Sequence, residues 1–162
     1  MTYEALDVDK WLYQTLTTDA QLPGLIAAAR AADTTPGQPT PVPGVAARWL
    51  FADLAPQATP MPYIVYSLHT SSDVRAGFHT RVATEAYFLI KVVGHGDGWT
   101  AVQPVIDRLD TLLEQPALLA VQGTSLLQAV TRHQAMKTVE IVENVRVNQV
   151  GGIYKFFVSG AA

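Results

Sequence analysis

Between Val82 and Val93 the sequence VATEAYFLIKVV alternates side chains of opposite character, and this alternation constrains the fold more than any other stretch. One row of alternate residues is apolar and contains Phe88, Ile90 and Val92. The other row is mixed and contains Glu85, Tyr87 and Lys91. Because successive residues of a β-strand point to opposite faces, a period of two predicts a long strand with one buried face. A chain that contains such a strand must supply partner strands and a layer that covers the apolar face.

A second strand is predicted upstream, within the stretch APQATPMPYIVYSLHT at residues 55–70. Its three prolines favour extended backbone and lead directly into the aromatic run that follows them. We predict a strand from about Pro62 to Thr70. The next residues, SSDVRAG at 71–77, have turn composition, so the two long strands should form an antiparallel pair.

Helical periodicity appears in the amino-terminal region, where apolar residues recur at three- and four-residue spacings from about Glu4 to Leu16. Thr18 or Asp19 is predicted to cap a short second turn, which Pro23-Gly24 breaks before an alanine-rich helical stretch. This part of the chain therefore supplies helices rather than strands.

A further helix is predicted after the glycine-rich sequence GHGDG at 94–98. Its apolar side chains fall along one face: Val102, Val105, Ile106, Leu109, Leu112 and Leu113. Pro104 is compatible only with the first turn, and Asp97 or Thr100 is predicted as the cap. The apolar face should bury against the sheet.

The remaining sequence is predicted to be mostly β structure. Arg48 to Phe51 suggests a short strand, and the last part of the chain predicts strands with a turn near Asn148 to Gly152 and a terminal strand from Ile153 to Ser159. We predict an α+β fold, a mainly antiparallel β-sheet with helices packed on one face. Residues 1–162 should form a single domain, with a proline-rich exposed excursion at about 33–44.

Composition narrows the functional classes. Charged residues make up only 15% of the chain and the formal net charge is −3, which disfavours a protein that grips nucleic-acid backbone. The low charge favours surfaces that partners cover, although a monomer with an uncharged polar surface stays open. There are no cysteines, hence no disulfide framework or thiolate metal site. We expect a soluble protein without a secretory signal or membrane span.

Only GHGDG suggests chemistry. His95 and Asp97 stand two residues apart and fit either a metal or acid-base pair or, more simply, a solvated turn and helix cap. Two ligands are too few for a metal site, and motifs for a nucleophile elbow or a phosphate loop are missing from the sequence. We therefore predict no catalytic residue, metal or cofactor. The alternative is a small metal-dependent hydrolase, which would carry stoichiometric metal.

Charged residues near the predicted turns and terminal strands are the candidates for subunit and partner contacts, with ordinary solvated loops as the alternative. They are Asp73, Arg75, His79, Arg81, His95, Asp97, Arg146 and Lys155. The sequence VEIVENVRVNQV at 139–150 alternates charged and apolar residues and predicts an amphipathic strand. If that strand lies at a sheet edge, it can pair with a neighbouring copy.

Several of these pieces together resemble a known family. The segments that carry the resemblance are the amino-terminal helix, WLFADLAPQATPMPYIVYSLHT, EAYFLIKVVGHGDGW, VQPVIDRLDTLL and GGIYKFFVSG. From roughly residue 45 to 160 the chain resembles the tail-completion or tail-terminator proteins of long-tailed bacteriophages. The strongest part runs from Ala55 to Tyr66. The similarity rests on pattern and order rather than on an invariant chemical motif.

The resemblance implies structural work inside the virion, with no catalytic residue to carry over. Such proteins form a homo-oligomeric ring of six that caps the head-proximal end of the tail tube, ends tube polymerisation and joins the tail to the neck. The implied partners are other copies of the chain, the tail tube protein and a head-completion or neck protein. DNA passes through the ring without specific binding, and the chain is made in the host bacterial cytoplasm. A head-completion or adaptor ring protein is the alternative within this class.

Overall fold

The computed structural model describes residues 3–33, 48–56, 59–76, 80–96, 99–114, 120–122, 125–142 and 144–160. In these ranges the elements are α1 Tyr3–Thr18, α2 Leu22–Ala32, β1 Leu50–Ala52, β2 Tyr63–Ala76, β3 Thr80–His95, α3 Gln103–Leu113, β4 Ala120–Gln122, β5 Ser125–Val142 and β6 Val145–Gly160. The proline-rich excursion predicted at 33–44 lies outside the described residues, except for Asp33.

The strands form one six-stranded sheet in the order β1-β2-β3-β6-β5-β4. Every neighbouring pair is antiparallel except the short β1, which runs parallel to β2. The helices pack against one face, which we call the helix-covered face. The predicted α+β architecture is therefore confirmed, including the antiparallel pairing of β2 with β3.

The main hydrophobic core lies between the helices and the helix-covered face. The sheet contributes Ile64, Tyr66, Ala86, Phe88, Ile90, Val92, Tyr154, Phe156 and Val158, and the helices contribute Leu12, Leu16, Leu22, Ile26, Ile106, Leu109 and Leu113. The three residues predicted on the apolar face of β3 are completely buried. The period of two in the sequence thus identified the buried face correctly.

A polar network joins α3 to the sheet inside this core. The Tyr154 hydroxyl donates to Asp110, and Arg132 donates to the Asp110 carboxylate (2.7 Å) and to the carbonyl of Gly151 (2.9 Å). Burial, reinforced by the Asp110 carboxylate, raises the pKa of Tyr154 far above its ordinary value. The phenol therefore stays protonated and acts as a donor at any physiological pH.

Asp19 caps α2, one of the two caps predicted for this region. Its Oδ1 accepts hydrogen bonds from the backbone N–H groups of Gln21 (3.0 Å) and Leu22 (2.8 Å). The Arg108 guanidinium on α3 donates to the same carboxylate and, with these backbone donors, lowers the pKa of Asp19. The predicted break at Pro23-Gly24 was wrong, because both residues fit into the first turn of α2. Proline is tolerated there because backbone N–H groups in the first turn have no acceptor within the helix.

The start of α3 differs from the predicted cap. Val102 occupies the N-cap position without a side-chain hydrogen bond, so the prediction of Thr100 was wrong, and Asp97 lies outside the described residues. The Trp99 carbonyl accepts from the backbone N–H groups of Val102 (3.1 Å) and Gln103 (2.9 Å). Pro104 lies in the first turn, as predicted.

The turn predicted at 71–77 was wrong over most of its length. β2 continues to Ala76, and its residues 71–76 pair with 80–86 of β3. Ser and Asp favour turns only where no ladder partner competes, and here the neighbouring strand supplies that partner. The connection between the two strands therefore lies beyond Ala76.

The turn predicted at Asn148 to Gly152 was also wrong, because these residues lie inside β6. A Cβ added to Gly151 would stand 2.0 Å from the Ile90 carbonyl oxygen, and one added to Gly152 would stand 2.5 Å from the Gln134 carbonyl oxygen. These glycines permit close backbone approach within the sheet rather than a reversal. The chain reverses earlier, where Asn144 takes a positive φ of 64°.

Candidate subunit and partner interface

The face of the sheet opposite the helices, here called the helix-free face, has no helix layer among the described residues. Its side chains are mostly half-buried. At its centre the Lys155 ammonium lies 2.5 Å from Glu85 Oε1, and the Tyr87 hydroxyl donates to Glu85 Oε2 at 3.0 Å. These contacts lower the pKa of Glu85, and the Glu85 hydrogen bond raises the pKa of Lys155.

A second lysine on this face is also engaged within the chain. Lys91 Nζ donates to the Gln149 side-chain oxygen at 2.8 Å. Lys91 and Lys155 therefore both direct their donors at side chains of their own sheet. Glu85 compensates the charge of Lys155, whereas the Gln149 amide is neutral and leaves the charge of Lys91 in place.

An open groove of about 330 Å³ occupies one end of the helix-free face. Its walls are Asp53, Leu54, Ala55, Met61, Tyr63, Val65, Lys91, Val93, Glu140, Val142, Val147 and Gln149. Together with Phe51, six of these residues form a small apolar cluster beside β1: Ala55, Met61, Tyr63, Val65, Val93 and Val147. Burial, followed by the Glu140 carboxylate, raises the pKa of Tyr63, so the groove combines apolar walls with a protonated phenol.

Large apolar side chains are exposed at this end of the sheet, on both of its faces. Leu54 is 82% exposed, and Val139, Ile141 and Val142 near the end of β5 are 45%, 77% and 51% exposed. Leu54 follows Asp53, whose φ of 61° belongs to the left-handed region. Such a concentration of uncovered aliphatic side chains is typical of contact surfaces. The sequence signal was present only for β5, where the alternation in VEIV predicted an amphipathic strand.

Two of the predicted interface residues are bound to their own chain. Arg81 forms a close ion pair with Glu4 of α1, and its Nε lies 3.6 Å from Asp73 Oδ1. This cluster ties the amino-terminal helix to the β2–β3 hairpin. Arg75 is exposed on β2 opposite Arg81, and His79 lies outside the described residues.

His95 ends β3 and is largely buried against α2. Its Nδ1 lies 3.5 Å from Asp33 Oδ2, and each side chain is 9% exposed. Asp97, its predicted companion, lies outside the described residues. Across the described ranges the His, Asp and Glu side chains form no group of three or more that could hold a metal ion.

Arg146 and Lys155 complete the predicted set. Arg146 lies at the start of β6, where its carbonyl accepts from the Gly96 N–H at 3.2 Å, while Lys155 lies in the middle of the helix-free face. The predicted residues therefore do not converge on one site. They divide between the two ends of the β3 strand and the centre of the helix-free face.

The ion pairs described above connect strands and helices of the same chain rather than lining the groove together. No helix among the described residues has the length and apolar character needed to cross a membrane.

Known structures share this fold. The chain aligns with a chain from the virion of a native gene transfer agent particle over 91% of both chains, with a TM-score of 0.58 and 19% sequence identity. A second solved structure aligns over 91% of this chain and 95% of its own, with a TM-score of 0.43 and 15% sequence identity. No protein-family model and no curated protein matches the sequence. At this level of identity, the first alignment shows the fold that the two chains share.

Proposed function

We propose that this chain is a virion structural protein of a long-tailed phage or a phage-related particle, and that it works as the tail terminator. In this role, copies of the chain form a ring of six at the head-proximal end of the tail tube. The ring ends tube polymerisation and joins the tail to the head. The chain acts without a cofactor and without catalysis.

The observation that carries this proposal is the fold likeness to a chain of a gene transfer agent virion, which extends over 91% of both chains. The likeness spans the helices and the sheet rather than a single motif. It agrees with the independent resemblance of the sequence to tail-terminator proteins, which rests on the order of the same elements.

The electrostatics of the helix-free face support passage of DNA without binding. Glu85 compensates the charge of Lys155, Lys91 donates to the neutral Gln149 amide, and the whole chain carries a formal net charge of −3. Phosphate binding requires clustered, uncompensated Lys and Arg side chains. A ring of such subunits would let DNA slide through instead of retaining it.

The proposed partners are neighbouring copies, the tail tube protein and a head-completion or neck protein. The exposed aliphatic residues Leu54, Ile141 and Val142 supply apolar contact area for such partners. Synthesis in the host bacterial cytoplasm and final location at the head-proximal end of the virion tail complete the proposal.

The test combines native mass determination with a tube-capping assay. Purified protein is imaged by negative stain, and then added to tail tube protein during polymerisation. We expect six-membered rings, and tubes that stop growing with a ring at one end. A protein that leaves tube length unchanged and instead binds capsids would be an adaptor of the neck. The hydrolase alternative requires stoichiometric metal in the same sample.

A further inference from the structure

Both edges of the sheet are open over long stretches in the described part of the chain. β1 pairs only with Ile64 to Tyr66 of β2, and β4 pairs only with Ser125 to Leu127 of β5. Among the described residues, therefore, no strand pairs with the outer edge of β2 over residues 67–76 or with that of β5 over residues 128–142. At about 3.3 Å per residue these edges are about 30 Å and about 45 Å long.

Open edges of this length are unusual, because unpaired N–H and C=O groups attract other strands. Proteins often guard such edges with outward-pointing lysines or arginines. On β5 both basic side chains turn back onto their own subunit instead. Arg132 binds Asp110 and the Gly151 carbonyl, and Lys137 Nζ lies 4.1 Å from the centre of the Trp99 ring.

We propose that the open edge of β5 pairs with the open edge of β2 in a neighbouring copy, so that one sheet continues from subunit to subunit. This inference rests on the proposed ring, and it names the surfaces that build it. The exposed Val139, Ile141 and Val142 extend the β5 edge with aliphatic side chains that a neighbouring copy would cover in part.

Strand direction favours this pairing. Three successive antiparallel pairings lead from β2 through β3 and β6 to β5. Because the direction reverses three times, β2 and β5 run in opposite directions within a subunit. A rotation about an axis along the strands leaves those directions unchanged. It places β5 of one copy antiparallel to β2 of the next, which continues the pattern of the sheet.

Two-fold pairing of β5 with β5 is less consistent with these edges. It would satisfy one edge in a dimer and leave both β2 edges open, whereas pairing of β5 with β2 uses both edges and can close into a ring. The helix layer is about 10 Å thick and would fill much of the channel from the inside, so we place it on the outside of the closed sheet. The helix-free face, with its Glu85–Lys155 ion pair, would then face the channel.

Register within the subunit selects the positions for a cross-linking test. Ser72, Glu85, Phe157 and Ala129 lie side by side across β2, β3, β6 and β5. Between β2 and β5 of one chain lie three strand spacings, about 14 Å, which is too far for a disulfide. The chain has no cysteines, so any disulfide between introduced cysteines on these two strands must join two copies.

The experiment places Ser72→Cys in three double variants, with Ala129→Cys, Thr131→Cys or Gln134→Cys. All four positions lie on the helix-free side, and the three on β5 sample different staggers between copies. After mild oxidation, with and without tail tubes, we expect one double variant to give a ladder of covalent oligomers up to a closed ring. The four single variants are the matched controls and should stay monomeric on a non-reducing gel.

Each result has a distinct meaning. Rings in native mass spectra without cross-links in any double variant would overturn the edge pairing while leaving the proposed function intact. Covalent dimers from a single β5 cysteine would overturn it in favour of two-fold pairing. A cross-linked ring that neither stops tube growth nor binds tubes would support the edge pairing and contradict the terminator function. Unchanged circular dichroism identifies folded variants.

Discussion

The two faces of the sheet differ in how deeply their side chains are buried and in how their polar groups are satisfied. On the helix-covered face Phe88, Tyr154 and Phe156 are almost completely buried, and the Tyr154 hydroxyl belongs to a network with Asp110 and Arg132. On the helix-free face Tyr87 and Lys155 are half-buried, and both donate to the half-buried Glu85 carboxylate. Among the described residues, the first face carries most of the hydrophobic free energy of folding, because the helices exclude water from it.

This difference shows how one strand can serve two purposes. Alternate residues of β3 and β6 hold the helices, and the residues between them form a surface available for contact. Substitutions on the helix-covered face should therefore change stability, whereas those on the helix-free face and the strand edges should mainly change assembly.

The largest effect is expected from two adjacent residues of the same type. Phe156 is buried against Phe88 and Trp11, whereas Phe157 is half-buried on the helix-free face. Phe156→Ala should lower the free energy of unfolding by about 3–5 kcal/mol, and Phe157→Ala by about 1–2 kcal/mol. Urea denaturation of both variants measures the contrast, and equal losses would break the comparison between the faces.

Backbone crowding gives a second contrast, inside one strand. Gly151→Ala forces a Cβ into the backbone of β3 and should cost about 1–3 kcal/mol, because the neighbouring strand must shift. Gly160→Ala is the matched control, since nothing lies within 4 Å of its added Cβ. Thermal unfolding of the two variants separates crowding from the general effect of replacing glycine. A neutral Gly151→Ala would contradict the close approach of β6 to β3.

Hydroxyl deletions compare the polar groups of the two faces. Tyr154→Phe removes the buried donor to Asp110 and should cost about 1–2 kcal/mol. Tyr87→Phe removes the donor to Glu85 on the helix-free face and should cost about 0.5 kcal/mol, because water replaces it there. Chemical denaturation at pH 7 gives both values. A larger loss for Tyr87→Phe would reverse the proposed ranking.

The smallest effect concerns the ion pair of Glu85 with Lys155. The folded-state pKa of Glu85 lies below its ordinary value of 4.5, so the pair stabilises the protein above that pH, and the contribution is lost as pH falls through the folded pKa. Glu85→Gln should cost less than about 1 kcal/mol at pH 7, and the difference from wild type should disappear in acid. Denaturation from pH 3 to pH 7, with Lys155→Gln and the double variant as controls, tests this.

Much of the fold was predictable, because periodicity records which side chains are buried. The helix-covered row of β3, the apolar face of α3 and the Asp19 cap all follow from residues close together in the sequence. The turns at 71–77 and 148–152 were not predictable in this way. Their composition favours reversal, but the pairing of Ser71–Ala76 with β3 and the tight packing of Gly151 against Ile90 depend on distant strands.

The interface was harder to predict than the fold. Charge and loop position indicated Asp73 and Arg81, yet the fold binds them to each other and to Glu4. Leu54 carries no periodic signal, and its exposure depends on the left-handed turn at Asp53.

Local sequence was therefore sufficient for the type of each main element, for the mainly antiparallel α+β class and for the buried face, since the alternation of side chains along a strand or helix is a local property. The tertiary arrangement was needed to show where the outer edges of β2 and β5 lack a strand partner among the described residues, that Glu85 neutralises Lys155, and where glycine is required. These features arise from contacts between residues far apart in the sequence, and the register of those contacts cannot be read from either partner alone.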